Sequence, residues 1–513
     1  MHLTQALHRH LRQSPQACAA CDDNRMLNWA ELVDRVARFA GALRRDGLQP
    51  GDRVAMLARN DIDYLIYVFG TLWAGGVINP VNWRWTVHEI AFSLVDCGTR
   101  FLFLGEEFLA DAGAILSRAA CVEQVIALRG SAPQGTRGYD EWLSTATPVE
   151  DALRQGDDLA AILYTGGTTG RAKGVMLSHA NMASSNLGIL IAMEAPATPT
   201  HLHCAPLFHI GSLSNVLLAV TVGSTSVFLP SFDPAAVLAA IERWRVTELF
   251  LVPTMIRMVI DHPDFSRSDV SSLQRLRYGA AAIDEALLEK AMAAFPIAGF
   301  VQAYGMTELG PVATVLPMSD HLPPVRTLAR LRSAGRATAT CEVRIFGPDD
   351  WELPAGEVGE IVARGPNVML GYWGLDEASA QALRNGWMHT GDLGFLDEDG
   401  YLTIVDRLKD MIVTGGENVF SAEVENVVAT HPDVDQVAVI AVPDEIWGEK
   451  VHAVIVLREG GLPSPQSIMQ HCRLHMAGYK VPRSFAFVDG LPLSPAGKVQ
   501  KNVLRDMAVQ EKW

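Results

Sequence analysis

Cysteine is scarce in this chain: seven residues in 513, scattered, with Cys18 and Cys21 forming a lone CxxC that has no second pair and no nearby histidines. That pattern does not supply a four-ligand zinc site, and the reading is one of reduced, unligated thiols. Basic residues are in the minority, 42 Lys and Arg against 58 Asp and Glu for a net charge of -16. No basic run offsets that balance, so a phosphate backbone would be repelled and nucleic acid is not an expected partner. Long apolar runs are absent as well. The most apolar window, Leu213 to Leu229, is interrupted by Ser214, Asn215, Gly223, Ser224 and Ser226. It predicts a buried helix passing into a strand, and no integral membrane segment. The opening MHLTQALHRHLRQSP has no apolar core of signal-peptide length, and the expected location is cytoplasmic. No low-complexity tract occurs, and 49% hydrophobic with 19% charged residues is ordinary for a folded globular protein.

What is present is length and alternation. A chain of 513 residues exceeds a single core and suggests roughly two to four domains. Asn28 with Glu31 three residues on predicts a capped helix through Leu32, Val36, Phe39 and Leu43, stopped by Gly47, Pro50 and Gly51 before a strand at Val54 to Leu57. The pattern recurs: Asp233 and Pro234 open a helix bearing Val237, Ile241 and Trp244, and a strand follows at Leu249 to Val252. Leu276 to Tyr278, Ile283 to Phe295 and Phe300 to Gln302 repeat it. Such alternation predicts parallel sheets with helices on both faces and ligands beyond the carboxyl ends of the strands. From about Leu331 short strands broken by Gly, Pro and Asp predict a small β-barrel or meander. After Arg407 a compact α+β module is expected, with Ser421 capping a short helix, strands at Val434 to Val442 and Lys450 to Leu457, and a helix in SPQSIMQHCRLHM.

The most pointed stretch is YTGGTTGRAKG, residues 164 to 174, directly after the apolar run Leu159 to Leu163. Glycines let backbone N–H groups turn toward an anion, threonine hydroxyls add donors or a metal ligand, and Lys173 adds a mobile positive charge. A phosphate is the natural guest. The loop is not a Walker A motif, because Lys173 does not directly follow Gly170, and a P-loop kinase or ATPase is disfavoured.

This loop resembles the phosphate-binding signature of the adenylate-forming superfamily: acyl-CoA synthetases, 4-coumarate-CoA ligases, luciferases and peptide-synthetase adenylation domains. Further matches follow in the family's order: YGAAA (278 to 282), QAYGMTE (302 to 308), HTGD (389 to 392), DRLKDMIVTGGENVFSAEVE (406 to 425) and PLSPAGKVQ (492 to 500). The resemblance implies an α/β fold with a large N-terminal domain, 1–406. That domain would hold two parallel-sheet subdomains, about 1–160 and 161–330, and a small β-barrel, 331–406. A hinge at 407–410 and a small mobile α+β lid domain, 411–513, would follow. It implies two half-reactions: a carboxylate and ATP give acyl-AMP and pyrophosphate, and a thiol then displaces AMP.

By the same resemblance Thr165, Gly166, Gly167, Thr168, Thr169 and Lys173 would cradle the β- and γ-phosphates, with Thr165 and Glu308 near Mg²⁺. Gly279, Ala280 and Ala281 would line the adenine, Gln302, Ala303 and Tyr304 would flank it, and Thr307 would meet the α-phosphate. Asp392 would take the ribose hydroxyls with Arg407 beside it, and Lys409 marks the hinge. Lys498, in a turn shaped by Pro495 and Gly497, would be the lysine of adenylate formation, neutralising charge between carboxylate and α-phosphate. Ala172 and Ala282 stand where relatives carry proline, which loosens the local backbone without deleting chemistry.

The thiol and the acid remain. Gly415 and Gly416 resemble the small pair that lets the pantetheine arm of coenzyme A pass, with Glu417 and Asn418 bordering it. In PLFHIGS, Phe208 and His209 offer no carboxylate for a substrate ammonium, which disfavours amino-acid activation. Nothing local argues for luciferase-type oxygen chemistry, and a non-catalytic nucleotide-binding module would not need Lys498, Lys409 and Glu308 together. The expected pocket runs from His209 past Gly211 and Ser212, along Tyr278–Ala282, to MTELGPVAT (306 to 314), with small or apolar walls. A hydrophobic monocarboxylate fits it. The 406–419 stretch most resembles bacterial fatty-acyl-CoA synthetases, so a medium- or long-chain fatty acid is expected ahead of a phenylpropanoid such as coumarate or ferulate. The partners expected are thus ATP, Mg²⁺, coenzyme A and a small carboxylic acid, with homodimerisation left open.

Overall fold

A computed structural model describes residues 2–130, 135–165, 172–193, 199–415, 417–462, 464–493 and 499–510. The chain separates into two compact units, residues 1–343 with 363–389, and residues 344–362 with 390–513.

Two sheets organise the first unit. The eight-stranded sheet runs, in spatial order, Gly371–Tyr372, Lys173–Ser178, Leu159–Thr165, Val77–Pro80, Arg53–Leu57, Thr99–Leu104, Gln124–Ala127 and Arg137–Gly138. The nine-stranded sheet runs Arg336–Ala337, Val312–Leu316, Gly299–Gly305, Arg275–Gly279, Glu248–Leu251, Thr200–His203, Thr225–Phe228, Cys18–Cys21 and Met26–Asn28. Its central pairs are parallel, as alternating strands and helices require, because a parallel partner is reached only by a crossover. The first strands of the chain, Cys18–Cys21 and Met26–Asn28, belong to this later sheet, while Leu159–Thr165 and Lys173–Ser178 belong to the earlier one. Each layer therefore draws on both sides of residue 160, which local pattern does not reveal.

The local signals act as expected in the helices. Asn28 and Glu31 form a reciprocal capping box at the start of Trp29–Arg45. The Asp233 carboxylate accepts from the Ala236 N–H, with Pro234 at the first position of Pro234–Trp244. The apolar window at 213–229 is the helix Ile210–Val222 followed by the strand Thr225–Phe228. No helix among the described residues is long and apolar enough to cross a membrane. One face of the nine-stranded sheet is sealed by an apolar core in which Leu249, Leu251, Leu276 and Tyr278 pack with Val237, Ile241, Ile256 and Leu288.

In the second unit the antiparallel pair Val434–Asp444 and Gly448–Leu457 carries Ser421–Val428 and Pro465–His475 on one face and Lys501–Val509 on the other. Here one expectation is corrected. Ser421 is the first helical residue, not the cap, and the capping position, Phe420, has no side chain able to accept. The Asp406 carboxylate takes that part from the Leu402–Arg407 strand, accepting from the Ser421 hydroxyl at 2.7 Å and the Ala422 N–H at 3.3 Å, as well as from the Ser421 N–H. An anion at a helix N-terminus satisfies otherwise orphaned donors wherever it comes from in the sequence.

Candidate active site

The glycine-rich loop joins two antiparallel strands, and their register sets Thr165 opposite Lys173. Gly166, Gly167, Thr168 and Thr169 lie outside the described residues. The next strand in that sheet, Gly371–Tyr372, pairs Tyr372 with Val175, which lays its ring under Lys173, the ammonium 4.8 Å from the ring centre. The same tyrosine hydroxyl donates to Glu308 Oε1 at 2.9 Å. Glu308 sits with Thr307 in a single 3-10 turn, Thr307–Leu309, just past the Gly299–Gly305 strand. Two strand ends from different sheets thus bring Lys173 and Glu308 onto one tyrosine, with Thr165 opposite Lys173. Glu308 is 6% exposed. Burial, then the nearby Glu308 charge, pushes the Tyr372 phenol well above its usual range, so it remains a donor.

Tyr372 is a residue that sequence reasoning missed. An aromatic in the glycine-rich stretch GYW was its only local signal, and such a signal is shared with any turn.

The adenine candidates lie on neighbouring parallel strands, with Gly279 opposite Ala303 and Tyr278 opposite Gln302. A Cβ on Gly279 would stand 2.2 Å from the Ala303 carbonyl oxygen, and one on Gly305 would stand 1.9 Å from that of Pro311. Both glycines are therefore required by backbone approach. Ala280 adopts φ 63°, a left-handed conformation uncommon for alanine, which turns the chain away at the strand end; Ala281 follows it. Tyr304 lies in the same strand end as Gln302 and Ala303. His209 occupies the capping position of Ile210–Val222, its ring 4.3 Å from that of Phe208. Trp83 meets Phe208 edge to face at 5.9 Å.

The remaining candidates belong to the second unit. Asp392 faces Arg407 across an antiparallel pair, with Arg407 Nε 3.4 Å from Asp392 Oδ1. Gly391, at φ 70°, donates to Glu360 at 3.0 Å, and the Asp392 N–H donates to Thr390 Oγ1 at 3.1 Å, so the turn presenting Asp392 is held at both sides. Lys409 follows that strand. Lost hydration and then the adjacent Arg407 cation lower its ammonium below the usual lysine range. Gly415 has φ 61°, and a Cβ there would stand 2.7 Å from the Trp447 ring. Asn418 pairs with Val413. Gly416 and Lys498 lie outside the described residues.

Among the described residues no cluster of three or more His, Cys, Asp or Glu could hold a metal. A threonine hydroxyl with one carboxylate is nonetheless the donor set that suits magnesium arriving on a nucleotide, since that ion keeps its waters and takes few protein oxygens.

Parallel sheets whose carboxyl ends gather a glycine loop, a lysine and a clamped glutamate define a nucleotide-binding enzyme of the α/β class. Residues 7–373 match the profile of AMP-binding enzymes, and residues 423–498 match that of the AMP-binding enzyme C-terminal domain; the chain belongs to this family, the adenylate-forming superfamily. It is 40% identical over 503 residues to a feruloyl-CoA synthase of an Amycolatopsis species, with 97% of each chain covered. Identity is 36% over 499 residues to a medium/long-chain-fatty-acid–CoA ligase of Mycobacterium tuberculosis, covering 93% of this chain and 85% of that one. The structure of ATP-bound MatB from Rhodopseudomonas palustris superposes with a TM-score of 0.89 at 31% identity over the whole of both chains. The chain is an acid–thiol ligase that binds ATP.

Proposed function

We propose that this enzyme is an AMP-forming carboxylate–CoA ligase acting on a hydrophobic monocarboxylic acid, with aryl-propenoic acids such as ferulate or coumarate ahead of straight-chain fatty acids. One observation carries the ligase reading: Lys173 and Glu308 meet on Tyr372 where the glycine loop leaves its strand. The aryl preference is supported by the 40% identity to a feruloyl-CoA synthase against 36% to the fatty-acid ligase. The 406–419 resemblance weighs toward fatty acids and keeps them as the second reading.

In the first half-reaction a carboxylate oxygen attacks the α-phosphorus of ATP, the bond to the bridging oxygen breaks, and pyrophosphate leaves. The loop at 165–169 with Lys173 holds the β- and γ-phosphates, Thr307 meets the α-phosphate, and Lys498 offsets the charge that gathers between the two anions. Mg²⁺, when bound, offsets triphosphate charge that would otherwise repel the acid; Thr165 and Glu308 are the oxygen donors available to it, and Tyr372 orients the glutamate. Gly279, Ala280, Ala281, Gln302, Ala303 and Tyr304 receive the adenine. Asp392, beside Arg407, accepts from the ribose hydroxyls, and His209 with Ser212 borders the acid. In the second half-reaction the thiol sulfur of CoA attacks the acyl carbon, the acyl–oxygen bond breaks, AMP leaves, and the thiol proton passes to solvent. Gly415, Gly416 and Asn418 border the arm, and backbone rotation at Lys409 reorients a C-terminal lid, 411–513, between the two steps.

The test is AMP release with ATP, Mg²⁺ and CoA across straight-chain acids, benzoates, cinnamates and amino acids. Cinnamates should give the highest kcat/KM. A maximum on acetate or on an amino acid would refute the apolar pocket, and a fatty-acid maximum would restore the second reading.

A further inference from the structure

The CxxC at Cys18 and Cys21 has no part in the chemistry above, and on a regular strand its two thiols would not meet, because residues three apart point to opposite faces. The pairing of Cys18–Cys21 with Met26–Asn28 changes that. Cys18 stands opposite Asn28, Ala20 opposite Leu27 and Cys21 opposite Met26, so Ala19 is an extra residue on this strand. Such a bulge sets two residues against one. Asn28 and Met26 share a face, and their partners Cys18 and Cys21 therefore share it too. The Cys18 thiol leans along the strand, 4.0 Å from the Ala20 carbonyl oxygen, and accepts a hydrogen bond from the Cys21 thiol. Alternate residues of a strand are about 6.5–7 Å apart and a disulfide spans Cα atoms about 4.4–6.8 Å apart. The bulge takes up its extra residue in a bend of the strand, which keeps the pair within that reach.

The two thiols stand in different surroundings. Cys21 is buried in the apolar core with Val227, Val237 and Ile241, whereas Cys18 is partly exposed. The hydrogen bond from Cys21 outweighs burial and, with the Thr225 hydroxyl, brings the Cys18 thiol down to about 7. The same hydrogen bond, burial and the Cys18 charge push Cys21 far above the usual thiol range. The other five cysteines are all raised by burial, Cys204 to about 12 and Cys341 and Cys472 to about 11. Of those five, Cys121 alone is partly exposed. At neutral pH Cys18 is thus the one cysteine that is both reachable and largely thiolate, the form that attacks.

We propose that Cys18 and Cys21 form a redox-reactive dithiol, which low-molecular-weight disulfides oxidise to an intramolecular disulfide with Cys18 attacking and Cys21 resolving. The Cys18 thiolate attacks one sulfur of the small disulfide, that S–S bond breaks, and one small thiolate leaves and takes up a proton. Cys18 in the mixed disulfide is neutral and no longer holds the Cys21 proton in place. Cys21 then gives its proton to solvent and attacks the Cys18 sulfur, and the second small thiolate leaves and is protonated. Across both steps the protein pair loses two electrons and two protons and the oxidant gains them. The site is separate from the nucleotide loop and does not depend on the ligase reading.

The experiment treats the folded full-length enzyme with glutathione disulfide at neutral pH, quenches it with acid, alkylates the free thiols and maps every cysteine by peptide mass spectrometry. In the wild type the Cys18–Cys21 disulfide should form before any of the other five cysteines reacts, and dithiothreitol should reverse it. Cys18 should be modified at least about fivefold faster than Cys121, because a thiolate fraction about fifty times larger outweighs a nucleophilicity about eight times lower. Cys21→Ala should stop at a mixed disulfide between Cys18 and glutathione. The pH midpoint for alkylation of Cys18, about 7 in the reduced wild type, should move upward in that variant. A wild-type enzyme that stops at the mixed disulfide, that reacts first at Cys121, or that keeps all its thiols free would overturn the proposal, whether or not the variant folds. An unmoved midpoint in a folded Cys21→Ala variant would overturn it as well.

Discussion

Replacing Tyr372 by phenylalanine removes one oxygen and leaves the ring over which Lys173 sits, 4.8 Å from its centre. What disappears is the hydroxyl that donates to Glu308 at 2.9 Å. Glu308 is buried, so water cannot simply take the place of the lost donor, and a hydrogen bond to a charged group is worth about 1.5–3 kcal/mol. If that energy orients the carboxylate for the magnesium–nucleotide complex, kcat/KM for MgATP in pyrophosphate release should fall about 10- to 150-fold. Half-saturation in Mg²⁺ should move to higher concentration, while binding of preformed acyl-AMP changes little. A variant with wild-type MgATP and Mg²⁺ dependence would refute the assignment of Glu308 to the ion. A loss confined to thermal stability would make Tyr372 a packing residue.

Further outcomes follow from particular atoms. Gly279→Ala should lower stability by about 1–3 kcal/mol or more in denaturant unfolding and weaken ATP binding, because a Cβ would meet the Ala303 carbonyl at 2.2 Å; an unperturbed midpoint would contradict that packing. Lys498→Ala should cut adenylate formation by about 10²–10³-fold yet still form thioester from supplied acyl-AMP, and equal loss of both halves would rule out a role in the first step alone. Burial lowers His179 and His321 from 6.5 to about 4. Their contribution is therefore complete above pH 6.5, where folded and unfolded states are both neutral, and is lost as pH falls toward 4 and the unfolded chain takes up protons. That amounts to on the order of 3 kcal/mol for each. A thermal midpoint that stayed flat between pH 7 and 4.5 would refute it, and His321→Gln should make the fall shallower.

Much of the first unit is legible locally because its signals are local. A capping box at Asn28 and Glu31, a proline after Asp233, and apolar positions at helical spacing each act within a few residues, and the helices form where those signals lie. The YGAAA and QAYGMTE strand ends are legible for a related reason: close backbone approach at Gly279 and Gly305 leaves few residue types that fit. Gly279 under the Ala303 carbonyl is the plainest case.

What sequence alone determined, then, is the class of fold and the family, since short-range backbone sterics and capping write themselves into composition and spacing. Tertiary structure decided which distant residues share a surface. Asp406, not Ser421, caps the helix after it; Tyr372, from an unremarked turn, clamps Glu308; and Cys18–Asn28 joins the strands of residues 200–337. Above all, Glu248, Arg275, Arg277 and His201 read along the chain as four ordinary polar residues. They become one buried charge cluster only when parallel register sets three strands side by side, because electrostatic interaction depends on distance in space and on the exclusion of water, and neither is recorded in spacing along the chain.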